Sequence, residues 1–331
     1  MGPSRGMGRD AVLRGAGSPA IIGRLSDDVQ CHSMTAGRVG FQLETMMTGS
    51  VTPPLRWTDS GGSGVPLVFI HGWSCSLKDW DSQTAALRND FRCISIDLPG
   101  HGESAAPASP TIDDMAKGVD TLLRALELGP AILVGHSMGC RVAMQSWANH
   151  PERVRGLVFV DGSMMEGDTE QILDRFRAEI AARGANALID RLYDGFNVAS
   201  TPESVRAALV QHRAHADPGF LIPLFFDMIR FDTMRTARLL GRLDIPVMVI
   251  QSTLLDATGT RVPIREGEST PWTRAVRQHL PGARIVTIGG IGHFPMLEAS
   301  DRTHALIRGF AQSLPAKCGH DPQAGTCAAC Q

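Results

Sequence analysis

The chain has 331 residues, 43% of them hydrophobic and 20% charged, which is the usual composition of a soluble globular protein. Its 32 Lys and Arg against 34 Asp and Glu give a formal net charge of −2, so neither a nucleic acid nor an anionic membrane surface is expected as a partner. Apolar runs stay shorter than the roughly 18 residues of a membrane-spanning helix.

The N-terminal residues 1–48 combine small residues with several arginines and have no sustained apolar core of a secretory signal. We expect a poorly ordered extension. The seven cysteines are irregularly spaced through the chain, which favours a reducing compartment over a disulfide framework. Both observations predict a cytoplasmic protein.

From residue 54 onward, short apolar runs alternate with amphipathic runs. The strand-like runs are 54–61, 65–72, 91–102, 131–135, 154–162, 245–252 and 283–290. The helical patterns between them include 76–89, 111–128 and 140–151. This alternation predicts an α/β protein with a mostly parallel twisted sheet and helices on both faces. The carboxyl ends of the strands then share one edge, where ligand sites form.

Residues 163–242 interrupt the alternation, because they hold helical patterns and no clear strand. We interpret them as an inserted helical cap, with the core formed by 49–162 and 243–314. The apolar stretches 163–165 and 219–231 are candidates for a hydrophobic pocket lining, although most of these residues are expected to pack the cap onto the core.

One serine stands between two glycines at the end of a strand-like run, in Gly135-His136-Ser137-Met138-Gly139. This G-x-S-x-G pattern follows a predicted strand and precedes a predicted helix. A tight strand-to-helix turn leaves no room for side chains at the flanking glycines and exposes the serine at a helix N-terminus. Ser137 is therefore the candidate nucleophile, and it needs a base and oxyanion donors.

Four segments together resemble the α/β-hydrolase superfamily over about residues 54–314. They are "VFIHGW", "DLPGHGES", "VGHSMG" and "GGIGHFPMLE", in the superfamily's chain order. The resemblance implies the α/β-hydrolase fold and makes His293, after the last strand, the base. It implies an oxyanion hole of two backbone amides, those of Met138 and Trp73.

The same resemblance implies supporting roles for three other polar residues at strand ends. His71 shapes the oxyanion loop, and His101 belongs to a structural turn. Asp97 is structural as well.

Two aspartates qualify as the acid that orients His293. Asp256 follows the penultimate strand, the commonest position in the superfamily, but lacks the usual preceding glycine and nearby proline. Asp161 ends the strand after the nucleophile helix, a position that a minority of members use. Either carboxylate would hold the imidazole tautomer and stabilise the imidazolium.

A serine at the elbow argues against the dehalogenase and epoxide-hydrolase members, whose chemistry needs a carboxylate nucleophile. We predict a serine hydrolase that cleaves an ester, lactone or related acyl bond of a small to medium hydrophobic substrate, without a cofactor. The alternatives are a cofactor-free haloperoxidase or perhydrolase, a C–C bond hydrolase, and a ligand-sensing protein that keeps the hydrolase site.

The tail 315–331 contains C-x-H and C-x-x-C patterns, which in principle offer four zinc ligands: Cys318, His320, Cys327 and Cys330. The separation between the pairs is short, and almost no apolar residue is present to pack around a metal. We therefore expect a flexible, cysteine-rich tail that binds no metal.

Overall fold

A computed structural model describes residues 47–49, 54–256 and 259–315 of the chain. Its strands are β1 Met47–Gly49, β2 Trp57–Asp59, β3 Pro66–Ile70, β4 Arg92–Ile96, β5 Ala131–His136, β6 Val154–Val160, β7 Val247–Gln251, β8 Thr253–Leu255, β9 Arg261–Pro263 and β10 Arg284–Thr287. The helices outside the interrupting segment are α1 Asp81–Leu87, α2 Ile112–Ala125, α3 Met138–Asn149, α9 Pro271–His279, α10 Pro295–Glu298 and α11 Ser300–Ser313.

Eight strands form one sheet in the order β1-β2-β4-β3-β5-β6-β7-β10. The pairs from β4 to β10 are parallel, whereas β1 and β2 add an antiparallel edge. Strand β5 is buried at every residue, as its uninterrupted apolar sequence requires in a sheet covered by helices. The predicted fold class is confirmed: a mostly parallel sheet surrounded by helices.

Residues 163–242, which we call the cap segment, are helical in the structure. The helices are α4 Thr169–Arg183, α5 Ala185–Asp194, α6 Glu203–Ala214, α7 Pro218–Phe231 and α8 Ala237–Leu240, with a π-helical turn Asp232–Thr236 joining the last two. Two of these helices, α4 and α7, are preceded by an aspartate that caps the helix N-terminus. Asp168 accepts a hydrogen bond from the Gln171 amide, and Asp217 accepts one from Gly219.

The structure differs from the sequence prediction at two places. Strand β1 pairs with β2 from Met47 onward, so the sheet begins slightly before the expected core boundary at residue 49. The apolar runs predict no strand between residues 252 and 283, but β8 and β9 form an antiparallel hairpin there. The rest of the predicted N-terminal extension and the zinc-type motif of the tail lie outside the described residues.

Candidate active site

Ser137 lies in a sharp turn between β5 and α3, with a backbone φ of 52°. The two glycines around it are required by space. A Cβ on Gly135 would lie 2.2 Å from the Gly139 carbonyl oxygen, and one on Gly139 would lie 2.4 Å from the Ile70 carbonyl oxygen. The left-handed conformation of Ser137 is therefore held by backbone packing on both sides, as strained positions at functional sites usually are.

The structure brings Ser137, His293 and Asp161 into one hydrogen-bonded row. The Oγ atom of Ser137 lies 3.0 Å from Nε2 of His293, and Nδ1 of His293 lies 2.7 Å from Oδ2 of Asp161. All three side chains are buried. Each comes from the carboxyl end of a strand, namely β5, β10 and β6, so the topology of the parallel sheet collects them at one edge.

Asp256, the alternative acid, is outside this row. It lies at the end of β8, where its Oδ1 atom accepts a hydrogen bond of 2.9 Å from the Thr260 amide and its own amide donates to the Thr260 carbonyl. These contacts make it a turn residue of the β8–β9 hairpin. The sequence alternative that placed Asp256 beside the histidine does not agree with the structure, because the hairpin directs this carboxylate into its own turn.

The Asp161 carboxylate is fixed by donors from the segment that follows β7. Its Oδ1 atom accepts hydrogen bonds from the amides of Ser252 (2.8 Å) and Thr253 (2.7 Å) and from Nε2 of Gln251 (3.0 Å). Its Oδ2 atom accepts one from the Thr253 hydroxyl, and Nη1 of Arg261 lies 3.4 Å away. This shell leaves Oδ2 directed at His293.

Burial and charge together set the protonation state of the row. Burial raises the pKa of Asp161, while the Arg261 guanidinium and the hydrogen bonds around the carboxylate act in the opposite direction. Burial lowers the pKa of His293 well below its ordinary value, and the positive charges of Arg261 and Arg141 lower it further. The imidazole is therefore neutral at neutral pH, as a general base must be.

The two backbone amides expected to form the oxyanion hole belong to Met138, which follows Ser137 in the chain, and to Trp73, which lies in the loop after β3. Met138 is the first residue of α3, so its N–H has no partner within the helix. Trp73 follows Gly72 in the loop after β3, and a Cβ on Gly72 would lie 3.3 Å from Cβ of Ser137. The loop that carries Trp73 is therefore packed against the nucleophile, where a second amide donor is needed.

Histidines around the row have supporting contacts. His136 donates from Nε2 to the His293 carbonyl at 2.8 Å, so it holds the loop of the base. His71 accepts the Leu98 amide at Nε2 (3.0 Å) and donates from Nδ1 to the Gly72 carbonyl. Burial lowers the pKa of His71 to about 4 and that of His136 to about 3, so both are neutral.

Asp97 and His101 are also engaged in loop structure. Asp97 accepts hydrogen bonds from the amides of Leu77 (2.8 Å) and Glu103 (3.0 Å). The ring of His101 bonds the Pro99 carbonyl through Nδ1 at 3.2 Å. Neither residue contacts the row of Ser137, and these contacts agree with the structural roles that the resemblance implied.

Sequence reasoning missed the buried Arg141, which joins the elbow helix to the cap segment. Its Nε and Nη2 atoms lie 2.7 and 2.6 Å from the two carboxylate oxygens of Asp232. Its Nη1 atom donates to the Ser137 carbonyl at 3.3 Å, and Nη2 donates to the Ser163 carbonyl at 2.9 Å. The sequence feature that could have indicated this residue is its position in α3, one helical turn after Ser137.

Aromatic rings of the cap segment cover the row. The Phe196 ring lies 5.1 Å from that of His293, centroid to centroid. Tyr193 and Phe225 lie 6.2 and 6.1 Å from the Trp73 ring, whose indole N–H donates to the Leu221 carbonyl at 3.0 Å. The surroundings of the serine are thus hydrophobic and largely shielded from water.

The family model of the α/β hydrolase fold matches residues 65–300. With the sheet order and the strand-to-helix elbow described above, this match shows that the chain belongs to the α/β-hydrolase family, as the sequence motifs predicted.

Three similar proteins illustrate the range of the family. A non-heme chloroperoxidase of Streptomyces lividans is 32% identical over 57% of this chain and 74% of its own length. A pimeloyl-[acyl-carrier protein] methyl ester esterase of Nitrosomonas europaea is 27% identical over 72% of this chain and 92% of its own. The crystal structure of an enol-lactonase from Burkholderia xenovorans superposes with a TM-score of 0.66 at 22% identity, covering 80% of this chain and all of that one.

Other curated relatives are matched over a smaller share of their length, which is 66% and 49% for two of them. Within the described residues, no helix is both long and apolar enough to cross a membrane.

Proposed function

We propose that this protein is a serine hydrolase that cleaves an ester or lactone bond of a small to medium hydrophobic substrate. The observation that carries the proposal is the continuous row from Ser137 Oγ through His293 to Asp161, with separations of 3.0 and 2.7 Å. A serine hydroxyl becomes a useful nucleophile when an adjacent base can take its proton, and the neutral imidazole of His293 is such a base.

In the proposed reaction, His293 takes the hydroxyl proton at Nε2 while Ser137 Oγ bonds to the acyl carbon. Asp161 keeps the Nδ1–H tautomer and stabilises the imidazolium. The amides of Met138 and Trp73 donate to the oxyanion. His293 then gives its proton to the leaving oxygen, and water, activated by the same imidazole, releases the acid from the acyl-serine.

The hydrophobic substrate class follows from what surrounds the serine. Phe196, Tyr193 and Phe225 present aromatic rings near the row, and the charges of Arg141 and Arg261 face Asp232 and Asp161. An uncharged acyl group fits such a pocket better than a charged one. The similarity to an esterase of Nitrosomonas europaea supports ester chemistry. Free, buried thiols at Cys75, Cys93 and Cys140 support action in the cytoplasm.

A second candidate is a perhydrolase or haloperoxidase reaction, in which hydrogen peroxide replaces water in the release of the acyl group. The 32% identity to the chloroperoxidase of Streptomyces lividans favours it. Both reactions share the acyl-serine. They are distinguished by measuring peracid formation from a short carboxylic acid and hydrogen peroxide against hydrolysis of p-nitrophenyl esters.

Active-site labelling tests the proposal. The wild-type protein should react with a fluorophosphonate probe and hydrolyse p-nitrophenyl esters, and Ser137→Ala should lose both. Ser82→Ala, which removes an exposed serine of α1, is the matched control and should keep both. Labelling retained in Ser137→Ala would contradict the nucleophile assignment. Labelling of the wild type without turnover on a panel of esters and lactones would favour a ligand-sensing protein.

A further inference from the structure

Three potential metal ligands meet beside the oxyanion loop, apart from the row of Ser137. Cys75 follows Trp73 in the loop after β3, Asp79 lies in the 3₁₀ turn Leu77–Trp80, and His212 lies in α6 of the cap segment. One ligand atom of each residue lies within 4.8 Å of the others. Nε2 of His212 and Oδ1 of Asp79 are 2.9 Å apart.

These side chains are withdrawn from solvent. Cys75 is 6% exposed and Asp79 4% exposed, and the His212 side chain is 15% exposed. Two ligands come from the core and one from the cap segment. A metal ion bound by all three side chains would therefore link the core to the cap segment.

A cavity of about 720 Å³ borders the three residues. Its other lining residues include His101 and His215. The cavity provides room for a further ligand beside the three protein donors.

The donor set selects among metals. A thiolate, an imidazole and a carboxylate suit a borderline-soft ion that prefers tetrahedral geometry, whereas Mg²⁺ and Ca²⁺ prefer oxygen donors alone. Three protein ligands with a fourth, open position are typical of Zn²⁺ sites that bind water or another small ligand.

We propose that Cys75, Asp79 and His212 bind one Zn²⁺ ion, with the fourth coordination position facing the cavity. Binding releases the thiol proton of Cys75 to solvent. It also breaks the hydrogen bond between Asp79 and His212, and the proton on His212 Nε2 leaves to solvent while the neutral imidazole keeps its hydrogen on Nδ1, so that both residues become ligands. Because the ligands bind in their deprotonated forms, the affinity for Zn²⁺ should increase with pH. The proposal does not depend on the hydrolase reaction.

Co²⁺ is used as the probe because it gives a charge-transfer absorption band when a thiolate binds it. Cys75, Asp79 and His212 held together by hydrogen bonds alone, without a metal, cannot give this band. The full-length chain is used with Cys318→Ser, Cys327→Ser and Cys330→Ser, so that the thiols of the tail do not contribute. After chelator treatment, one equivalent of Co²⁺ should produce the band, and Zn²⁺ should displace it. Cys75→Ser should abolish the band, while Cys93→Ser, which removes another buried thiol, should keep it.

The cap ligand is tested by affinity. His212→Ala should weaken Zn²⁺ binding more than about 100-fold, since loss of a supporting contact alone costs about 10- to 100-fold. His215→Ala is the matched control, because this histidine ends the same helix and lines the same cavity without belonging to the ligand set. Zn²⁺ should also raise the midpoint of thermal unfolding of the His215 variant and not that of the His212 variant.

No cobalt band in the background protein, or an undiminished band in Cys75→Ser, would overturn the proposal. Equal Zn²⁺ affinity in the two histidine variants would do the same. These readouts involve no ester turnover, so a failure here is distinct from a failure of the proposed hydrolase function.

Discussion

Two buried arginine–aspartate pairs stand on either side of the nucleophile and differ in geometry. Arg141 makes two short contacts with Asp232, at 2.7 and 2.6 Å, so each carboxylate oxygen faces a guanidinium nitrogen. Arg261 lies 3.4 Å from Oδ2 of Asp161, and the same oxygen lies 2.7 Å from Nδ1 of His293. The pair of Arg141 and Asp232 joins α3 to the π-helical turn of the cap segment. The pair of Arg261 and Asp161 leaves the carboxylate able to accept a hydrogen bond from His293.

The two pairs meet at Ser163, the first residue of the cap segment. Arg141 donates to its carbonyl at 2.9 Å, and Arg261 donates to its hydroxyl at 3.0 Å. Two guanidinium groups so close together repel each other, and burial with Arg141 nearby lowers the pKa of Arg261. Each arginine therefore depends on its own aspartate, and each pair can be disrupted separately.

Removing the charge of Asp161 should have the largest effect. Asp161→Asn should lower kcat for a p-nitrophenyl ester by about 10⁴-fold, because the imidazole loses its tautomer control and its counter-charge. Asp256→Asn is the control with the competing carboxylate and should leave kcat near the wild-type value. Equal losses in the two variants, or a larger loss in Asp256→Asn, would show that the acid has been assigned wrongly.

Asp232→Ala should have the next largest effect, on stability. It leaves Arg141 buried without its counter-charge, which should lower the free energy of unfolding by about 3–5 kcal/mol in urea titrations. The double variant Arg141→Met with Asp232→Leu should recover most of that loss, because no buried charge remains. Arg302→Ala, which breaks an exposed pair with Glu266, should cost only a small fraction of that amount. A comparable loss in Arg302→Ala would contradict the role given to burial.

Substitution of Arg261 should have the smallest effect of the three, and the effect should appear in the dependence of kcat/KM on pH. Since its charge lowers the pKa of His293, Arg261→Met should raise that pKa. The acidic limb of kcat/KM, where the base becomes protonated, should then move to higher pH. In the wild type this limb should lie below the ordinary histidine value of 6.5.

Arg261→Lys keeps a positive charge near His293, so its acidic limb should move less than that of Arg261→Met. A limb unchanged in the methionine variant would show that Arg261 has no electrostatic influence on the base.

The sequence predicted the elbow because the information there is local, whereas the resemblance to the superfamily, and not local geometry, made His293 the candidate base. Gly135 and Gly139 are needed for contacts within a few residues of Ser137 and against the neighbouring strand. The order of apolar runs and helical runs was sufficient for the parallel sheet, since the strands from β3 to β7 are buried along most of their length. The elbow and the parallel sheet both depend on the order of neighbouring residue types along the chain, so the sequence alone is enough to predict them.

The choice between Asp161 and Asp256 could not be made in this way. It depends on the β8–β9 hairpin, which turns Asp256 toward Thr260 and at the same time brings Thr253 and Arg261 to Asp161. Asp161 itself has a left-handed backbone, with φ of 44°. Such conformations are rare for residues other than glycine, and propensity does not predict them.

The pair of Arg141 and Asp232 was missed for a related reason. Its members are 91 residues apart and come from different layers of the molecule. Nothing in the residue types near either one identifies the partner.

The same separation has a consequence for the newly made chain. Ser137 leaves the ribosome 156 residues before His293, and Asp161 leaves it 132 residues before the same histidine. Contacts between such distant residues form late, after the intervening chain has been closed. A nascent chain that has completed the elbow but not β10 therefore has Ser137 in place without His293 beside it, and the row of Ser137, His293 and Asp161 can form only after synthesis has passed the last strand.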